Sequence, residues 1–325
     1  MFKGVGDCPA LRIFAVGKKA GFGGCLKENV GFFLMKNNSI SRVLVTLLVL
    51  CAPFVSCHQG TANTDEKDLT PSDMSSLRDT SVRGEVSLRQ PVSVTEILSR
   101  RQIPVLCYHR IRPWTASDGR IAKDNVIPPY LFKAHMRILA DSGYHSILPD
   151  DLLDHLEYGD ALPDKPVMIT FDDGSIGQYD IGIPTLESHG FRGVFFIMTI
   201  ATGRKGYMSA AQLKEMSDRG HLIASHTWDH HNVLTYDSAA WKVQLAGSVK
   251  TLEGITGKPV RYFAYPFGLW SPAAFPYLRA SGMRGAFILA TKRDTTDPLM
   301  TLRRINVPGY WNEKAMLQNL KRSFR

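Results

Sequence analysis

The sequence has 325 residues and a formal net charge of +9, with 44% hydrophobic and 21% charged residues. That composition and length suit one large core or two smaller ones and exclude a disordered or collagen-like chain. Positive charge is densest at the amino-terminal end, where residues 1–56 hold seven Lys/Arg against two Asp/Glu, while residues 101–325 hold 27 against 21.

Residues 1–34 are Gly-rich and unpatterned, and include Cys8 and Cys25. Because a signal-like segment follows them, translation is expected to start at Met35, with residues 1–34 an overextended gene start. Residues 35–57 open with Lys36 and Arg42 and continue into the apolar run 43–55. That run is shorter than the roughly 20 residues a spanning helix needs and has the length of a signal-peptide apolar core. Ser56 directly before Cys57 resembles a bacterial lipobox, although Phe54 stands where Leu is usual. The resemblance implies a lipid anchor on the Cys57 sulfur and an exported, membrane-attached lipoprotein of the cell envelope. Gln59 after His58, in place of an Asp retention signal, points to the outer membrane or the periplasmic face. An ordinary secretory signal would instead give a secreted protein. Loss of everything before Cys57 would leave Cys107 as the sole free thiol, so no intramolecular disulfide is expected. Residues 58–100 are polar, with little apolar periodicity beyond a short helix near Val94–Arg100, and read as a flexible tether.

Residues 101–325 form the expected folded domain. Short apolar runs at 103–108, 167–171, 193–198, 222–225, 262–265 and 285–289 read as buried strands. Helical periodicity covers 129–142, 183–189, 239–255 and 272–280. Ser209-Ala-Ala-Gln212 is a capping box that opens a further helix to Arg219, and Asn312 caps the last one. Strands alternating with helices imply a parallel sheet. A distorted (β/α) barrel and an open doubly wound sheet both fit, and in either the chemistry sits at the carboxyl ends of strands.

Several reactive residues fall at those ends: Tyr108-His109, Thr170-Phe-Asp-Asp-Gly174, His226-Thr-Trp-Asp-His230 and Tyr265-Pro-Phe-Gly268. Adjacent Asp172 and Asp173 at a strand end are expected to point in opposite directions, suiting two different roles. Asp-Gly is also a common turn pair. His226 and His230, four apart, can face one cation and, with one carboxylate, leave positions open for water. The same residues can equally be surface or core histidines. No Glu follows His226, so the His-Glu-x-x-His metalloprotease pattern is absent. No basic run or aromatic-basic motif is present, so no nucleic-acid partner is expected.

In order and spacing, Thr170–Gly174, His226–His230 and Tyr265–Gly268 resemble the motifs of the polysaccharide deacetylases, carbohydrate esterase family four. The opening Pro104-Val-Leu-Cys-Tyr-His-Arg-Ile111 is similar to the branch of biofilm poly-N-acetylglucosamine deacetylases. The resemblance covers about residues 103–325 and implies the distorted (β/α) barrel of that family. It implies a metal-dependent hydrolase that removes N-acetyl groups from N-acetylglucosamine units of an extracellular or cell-wall polysaccharide. In these roles Asp172 is the base, and Asp173, His226 and His230 hold a divalent metal ion; zinc, nickel and cobalt all suit such ligands. A backbone N–H near Phe267 would serve the oxyanion. The family's usual carboxyl-terminal His is missing, because the last histidine is His231. As in the biofilm branch, the early His109 is then the acid. Ala264 stands where many members carry an Arg that pairs with the catalytic Asp, and Arg303 or Arg304 is the expected replacement. Trp228 and Tyr265, flanking the motifs, are candidate sugar platforms. The missing motif residues also leave a non-catalytic polysaccharide-binding module open, and the same strand-end residues suit an O-acetyl esterase.

Overall fold

The computed structural model describes residues 89–289 and 291–324. The expected extension 1–34, the signal segment 35–57 with its Cys57 anchor, and residues 58–88 of the tether lie outside the described residues. In chain order the elements begin with α1 (Val94–Ser99), β1 (Val105–Tyr108), β2 (Arg110–Ile111), α2 (Arg120–Lys123), β3 (Val126–Ile127) and α3 (Pro129–Asp141). Then come β4 (His145–Ser146), α4 (Pro149–Tyr158), β5 (Pro166–Asp173), α5 (Ile183–Glu187), β6 (Val194–Ile197), α6 (Ala210–Asp218) and β7 (Leu222–Ser225). The last group is α7 (Ser238–Trp241), α8 (Ser248–Thr256), β8 (Tyr262–Ala264), α9 (Phe275–Ala280), β9 (Gly285–Ile288), β10 (Leu302–Arg303), β11 (Ile305–Asn306) and α10 (Glu313–Ser323). The expected capping box at Ser209 is formed with Gln212, and Asn312 accepts from the Ala315 N–H. The long helix expected over 239–255 is continuous but contains a π-helical segment, Lys242–Gly247, between α7 and α8.

The main sheet runs β10-β9-β8-β7-β6-β5-β1-β11, with β4 also on β5, and every pairing is parallel. Its two end strands, β10 and β11, are separated in sequence by Arg304 alone. Two peptide steps span at most about 7 Å, so the ends of the sheet must meet and an open sheet is ruled out. The sheet is rolled into a nearly closed, distorted barrel with helices around it.

Side-chain alternation sorts the strand residues into two clusters. Leu106, Phe171, Phe195, Phe263 and Ile288 pack outward on the helices, with Met136, Leu186, Leu213, Leu252 and Met316. Val105, Met168, Val194, Phe196, Ala224, Ala264 and Phe287 form the second cluster. Phe196 and Phe287 sit on non-adjacent strands yet their rings are 5.3 Å apart, a contact available only across the barrel interior. Leu152, Leu153 and Leu156 of α4, an element the sequence reading leaves as loop, fill the interior from the end where the strands begin. Arg284, just before β9, pairs with Asp150, Asp154 and Glu157 of the same helix. The tether also ends earlier than expected. Ile97 is buried among the α4 leucines, and Arg100 donates to the His155 and Leu156 carbonyls, so residues 89–100 belong to the fold.

A buried relay fixes the outer layer near the site. The Trp311 carbonyl can only accept, so His135 Nε2–H donates to it at 2.9 Å, and His135 Nδ1 accepts from the Tyr108 hydroxyl at 3.1 Å. Burial pushes the His135 pKa down to about 4, against a small opposing pull from the Trp311 carbonyl. Between about pH 6.5 and 4 the unfolded chain therefore takes up a proton that the folded one refuses. The stability from keeping this ring neutral is complete above about pH 6.5 and is lost as pH falls, by about 3 kcal/mol at pH 4. Urea midpoints measured between pH 7 and 4 should show this slope, and His135→Gln should flatten it. An identical slope in the variant would refute the assignment.

Candidate active site

Strand β5 carries Asp172 on the interior side of the barrel, in step with Met168 and Thr170. An ideal strand would turn Asp173 the other way. Instead its backbone enters the left-handed region, with φ 75°, and Gly174 follows at φ 83°. The expectation of opposed carboxylates is thus corrected: His226 Nε2 lies 3.8 Å from Asp172 Oδ2 and 3.8 Å from Asp173 Oδ1. His226 and His230 come from the loop after β7, not from a helix. Thr227 and His230 are also left-handed, and the Thr227 hydroxyl accepts from the His230 N–H at 2.9 Å. Phe267 is the fourth such residue here. Each conformation costs about 1–3 kcal/mol, and four of the five non-glycine cases among the described residues sit at this site.

Asp173, His226 and His230 each offer one donor atom, all within 4.8 Å of one another. His230 Nε2 is 3.6 Å from Asp173 Oδ1. Metal bonds of about 2.1 Å place donors roughly 3.0–3.4 Å apart, so small side-chain movements suffice. His226 Nδ1–H donates to the Ala264 carbonyl at 2.8 Å, which leaves the Nε2 lone pair facing the carboxylates, as a metal-ligating imidazole requires. Burial and the neighbouring His226 hold the His230 pKa down to about 4, so the His230 ring is a neutral donor. These residues fit a divalent ion.

A second cluster, Cys107, His109 and Asp172, has similar spacing but does not fit one. Arg304 takes both Asp172 oxygens, Nη1 to Oδ1 at 2.6 Å and Nη2 to Oδ2 at 2.8 Å. The Cys107 thiol, 3.4 Å from Asp172 Oδ2, is pushed up by burial and stays protonated. Burial alone would raise the Asp172 pKa, but the charged Arg304, hydrogen-bonded to both oxygens, outweighs it and holds the carboxyl well below its usual range. His109 Nε2 stands 4.0 Å from Asp172 Oδ2. Burial lowers the His109 pKa, and the pull of Asp172 and Asp173 only partly offsets this. A lowered pKa makes the charged ring a stronger proton donor, with a smaller charged fraction.

The remaining sequence candidates divide. Phe267 is 60% exposed, its ring edge-on to His230 at 4.5 Å, and Trp228 is 40% exposed. Both are exposed enough to meet a ligand. Tyr265 does not: it is fully buried against Phe263, so its expected role as a sugar platform is withdrawn. Arg303 is likewise corrected. Alternation sends it outward, where it donates to Gln102 and the Ser323 carbonyl and lies over the Phe324 ring. His231 is an exposed partner of Asp229. Sequence reasoning missed Gln178 and Gln244, whose side chains bind the backbones of the site loops. Gln244 is a polar residue inside the helical pattern over 239–255, which was a signal, whereas Gln178 lies in a stretch with no pattern and gave none.

The polysaccharide deacetylase family model matches residues 159–286. The comparisons support the polysaccharide deacetylase family. YxkH of Bacillus subtilis is 29% identical over 170 residues, 52% of this chain and 58% of that protein. A chitooligosaccharide deacetylase of Azorhizobium caulinodans is 30% identical over 134 residues, 41% of this chain and 62% of that protein. The chain thus spans about three fifths of the length of these two curated relatives. The deacetylase fold is shared more fully. A Streptococcus pyogenes deacetylase, PplD, solved with acetate, superposes with TM-score 0.61 at 21% identity, covering 71% of this chain and 99% of that one. IcaB from Ammonifex degensii superposes with TM-score 0.57 at 25% identity, covering 70% and 98%.

Proposed function

We propose that this chain is a metal-dependent deacetylase that removes N-acetyl groups from N-acetylglucosamine units of an extracellular or cell-wall polysaccharide. The observation that carries the reading is the pairing, at the carboxyl ends of the barrel strands, of a three-donor site (Asp173, His226, His230) with an ionised carboxylate gripped by Arg304. A relative described as a chitooligosaccharide deacetylase supports the N-acetylated sugar. Arg304 supplies the cation whose absence from the Tyr265–Gly268 motif favoured a non-catalytic module.

A divalent ion held by Asp173, His226 and His230 would acidify water and polarise the acetamide carbonyl; zinc, nickel and cobalt suit the donor set. Hydrolysis puts the water's hydroxyl on the acetyl carbon and a proton on the sugar nitrogen as the C–N bond breaks. Asp172, kept ionised by the paired Arg304 guanidinium, accepts the proton that the water gives up. His109, across from Asp172, donates to the departing amine. The backbone N–H at Phe267 stabilises the negative charge on the acetyl oxygen, while the exposed Phe267 and Trp228 rings stack on the sugar.

The lipobox-like Ser56-Cys57 supports export and a lipid anchor at the cell envelope, consistent with a polymeric substrate outside the cytoplasm. Among the described residues no helix is long and apolar enough to cross a membrane. Acetate release from defined N-acetylglucosamine polymers, with and without chelator, tests the reading. Release should stop with chelator and return on adding a divalent ion. Binding of the polymer with no acetate released in any metal would overturn it.

A further inference from the structure

Gln178 is fully buried and opens a π-helical turn, Gln178–Gly182, beyond strand β5. Strands β1 and β5 pair from Val105↔Met168 to Tyr108↔Phe171, and the ladder stops there. The next residues in register are His109 and Asp172. At that point Gln178 Nε2 donates to both of their carbonyls, at 2.7 Å to His109 and 2.6 Å to Asp172. The reverse amide orientation would set three oxygens against one another, so the donor assignment follows from the partners. The turn approaches closely enough that a Cβ on Gly177 would meet the Ile111 carbonyl oxygen at 2.0 Å, which glycine alone avoids. Single π turns of this kind are rare and occur frequently at functional sites. The same device recurs in the π segment Lys242–Gly247, where Gln244 Oε1 accepts from the Asp229 N–H in the His226–His230 loop.

We propose that Gln178 is a positioning residue that bridges the parting strands and so fixes the His109 ring against the Asp172 carboxylate. The role rests on the reading of His109 and Asp172 as acid and base. Gln178 touches neither reacting group; it holds the backbone from which both project. A misplacement of about 1 Å between such groups costs on the order of 10²-fold in rate.

The test compares Gln178→Met, which keeps the shape but loses both donors, with Gln178→Glu, which when protonated restores one. In the full chain, Gln178→Met should fold, bind zinc ion with unchanged affinity and show unchanged KM, while kcat for acetate release falls about 10²-fold. Gln178→Glu should recover part of kcat at acid pH and lose it as its carboxyl ionises against the two carbonyls. A kcat within twofold of the parent in Gln178→Met would overturn the proposal. So would a loss matched by a rise in KM and a collapse of thermal stability, the pattern of a merely structural residue. If the parent chain releases no acetate, the acid–base reading fails, and the His109 imidazole ¹⁵N resonances of the metal-free protein decide the clamp. Resonances shifted or exchange-broadened in Gln178→Met support it; resonances identical to the parent's refute it.

Discussion

Replacing Arg304 with Met should destabilise the protein by about 3–5 kcal/mol and lower kcat/KM for acetate release by at least about 10²-fold. The first figure is the usual result of leaving one partner of a buried ion pair behind. Arg304 has no exposed surface, and Asp172 is only 3% exposed, so neither charge can find water once the other is gone. The second figure follows from what the guanidinium does to the carboxylate. It fixes both oxygens in one plane and keeps the group ionised against burial. Without it, burial drives the Asp172 pKa up and frees the side chain to rotate. A double-mutant cycle separates the two effects. Asp172→Leu with Arg304→Met removes both charges, so stability should recover by several kcal/mol relative to either single change, while acetate release stays absent. Urea midpoints and acetate assays on the four proteins measure both quantities. Additive losses of stability would show that the two side chains do not depend on each other.

Removing a single donor from the three-donor site should weaken ion binding and cut turnover, most severely at His226. In the parent chain, a divalent ion at about 100 times its Kd should add about 2.7 kcal/mol of stability. His226→Ala should erase that gain and cut acetate release by more than about 10³-fold. His226 is the most constrained donor, since it is 1% exposed and locked by the Ala264 carbonyl. Asp173→Ala and His230→Ala should weaken ion binding as well, with His231→Ala as the control, because that ring faces solvent beside Asp229. Thermal melts with and without added ion, together with metal content after dialysis, give the answer without any substrate. Full ion-dependent stabilisation in His226→Ala would remove it from the donor set.

Much of this was legible in one dimension, and the misses share a cause. The buried strands and the caps at Ser209 and Asn312 follow from local pattern, and they recur in the structure within a few residues. Helix α4 escaped because its Pro149-Asp-Asp opening looks like a turn. Its leucines are explained only by the barrel end they plug. Strands β10 and β11 are two residues each, too short for any periodicity to register. Tyr265 flanks a motif, but its side chain is packed against Phe263 in the layer between strands and helices, and no count of neighbours in sequence shows that. The choice between Arg303 and Arg304 turned on alternation at a strand edge whose existence was itself unread.

What the sequence by itself determined is the chemistry available: two adjacent aspartates, two histidines four apart and an early histidine, each just past a buried apolar run, so that any parallel α/β arrangement gathers them at one end. What only the tertiary structure decided is how those groups face each other. Left-handed backbone at Asp173, Thr227 and His230 turns the donors inward against the local preference of an extended or helical chain, and surrounding packing must hold that strain. Closure of the sheet through the single residue Arg304 sets a guanidinium on Asp172 from 132 positions away in the chain. Such a contact depends on which edges of the sheet meet, and local pattern carries no record of that.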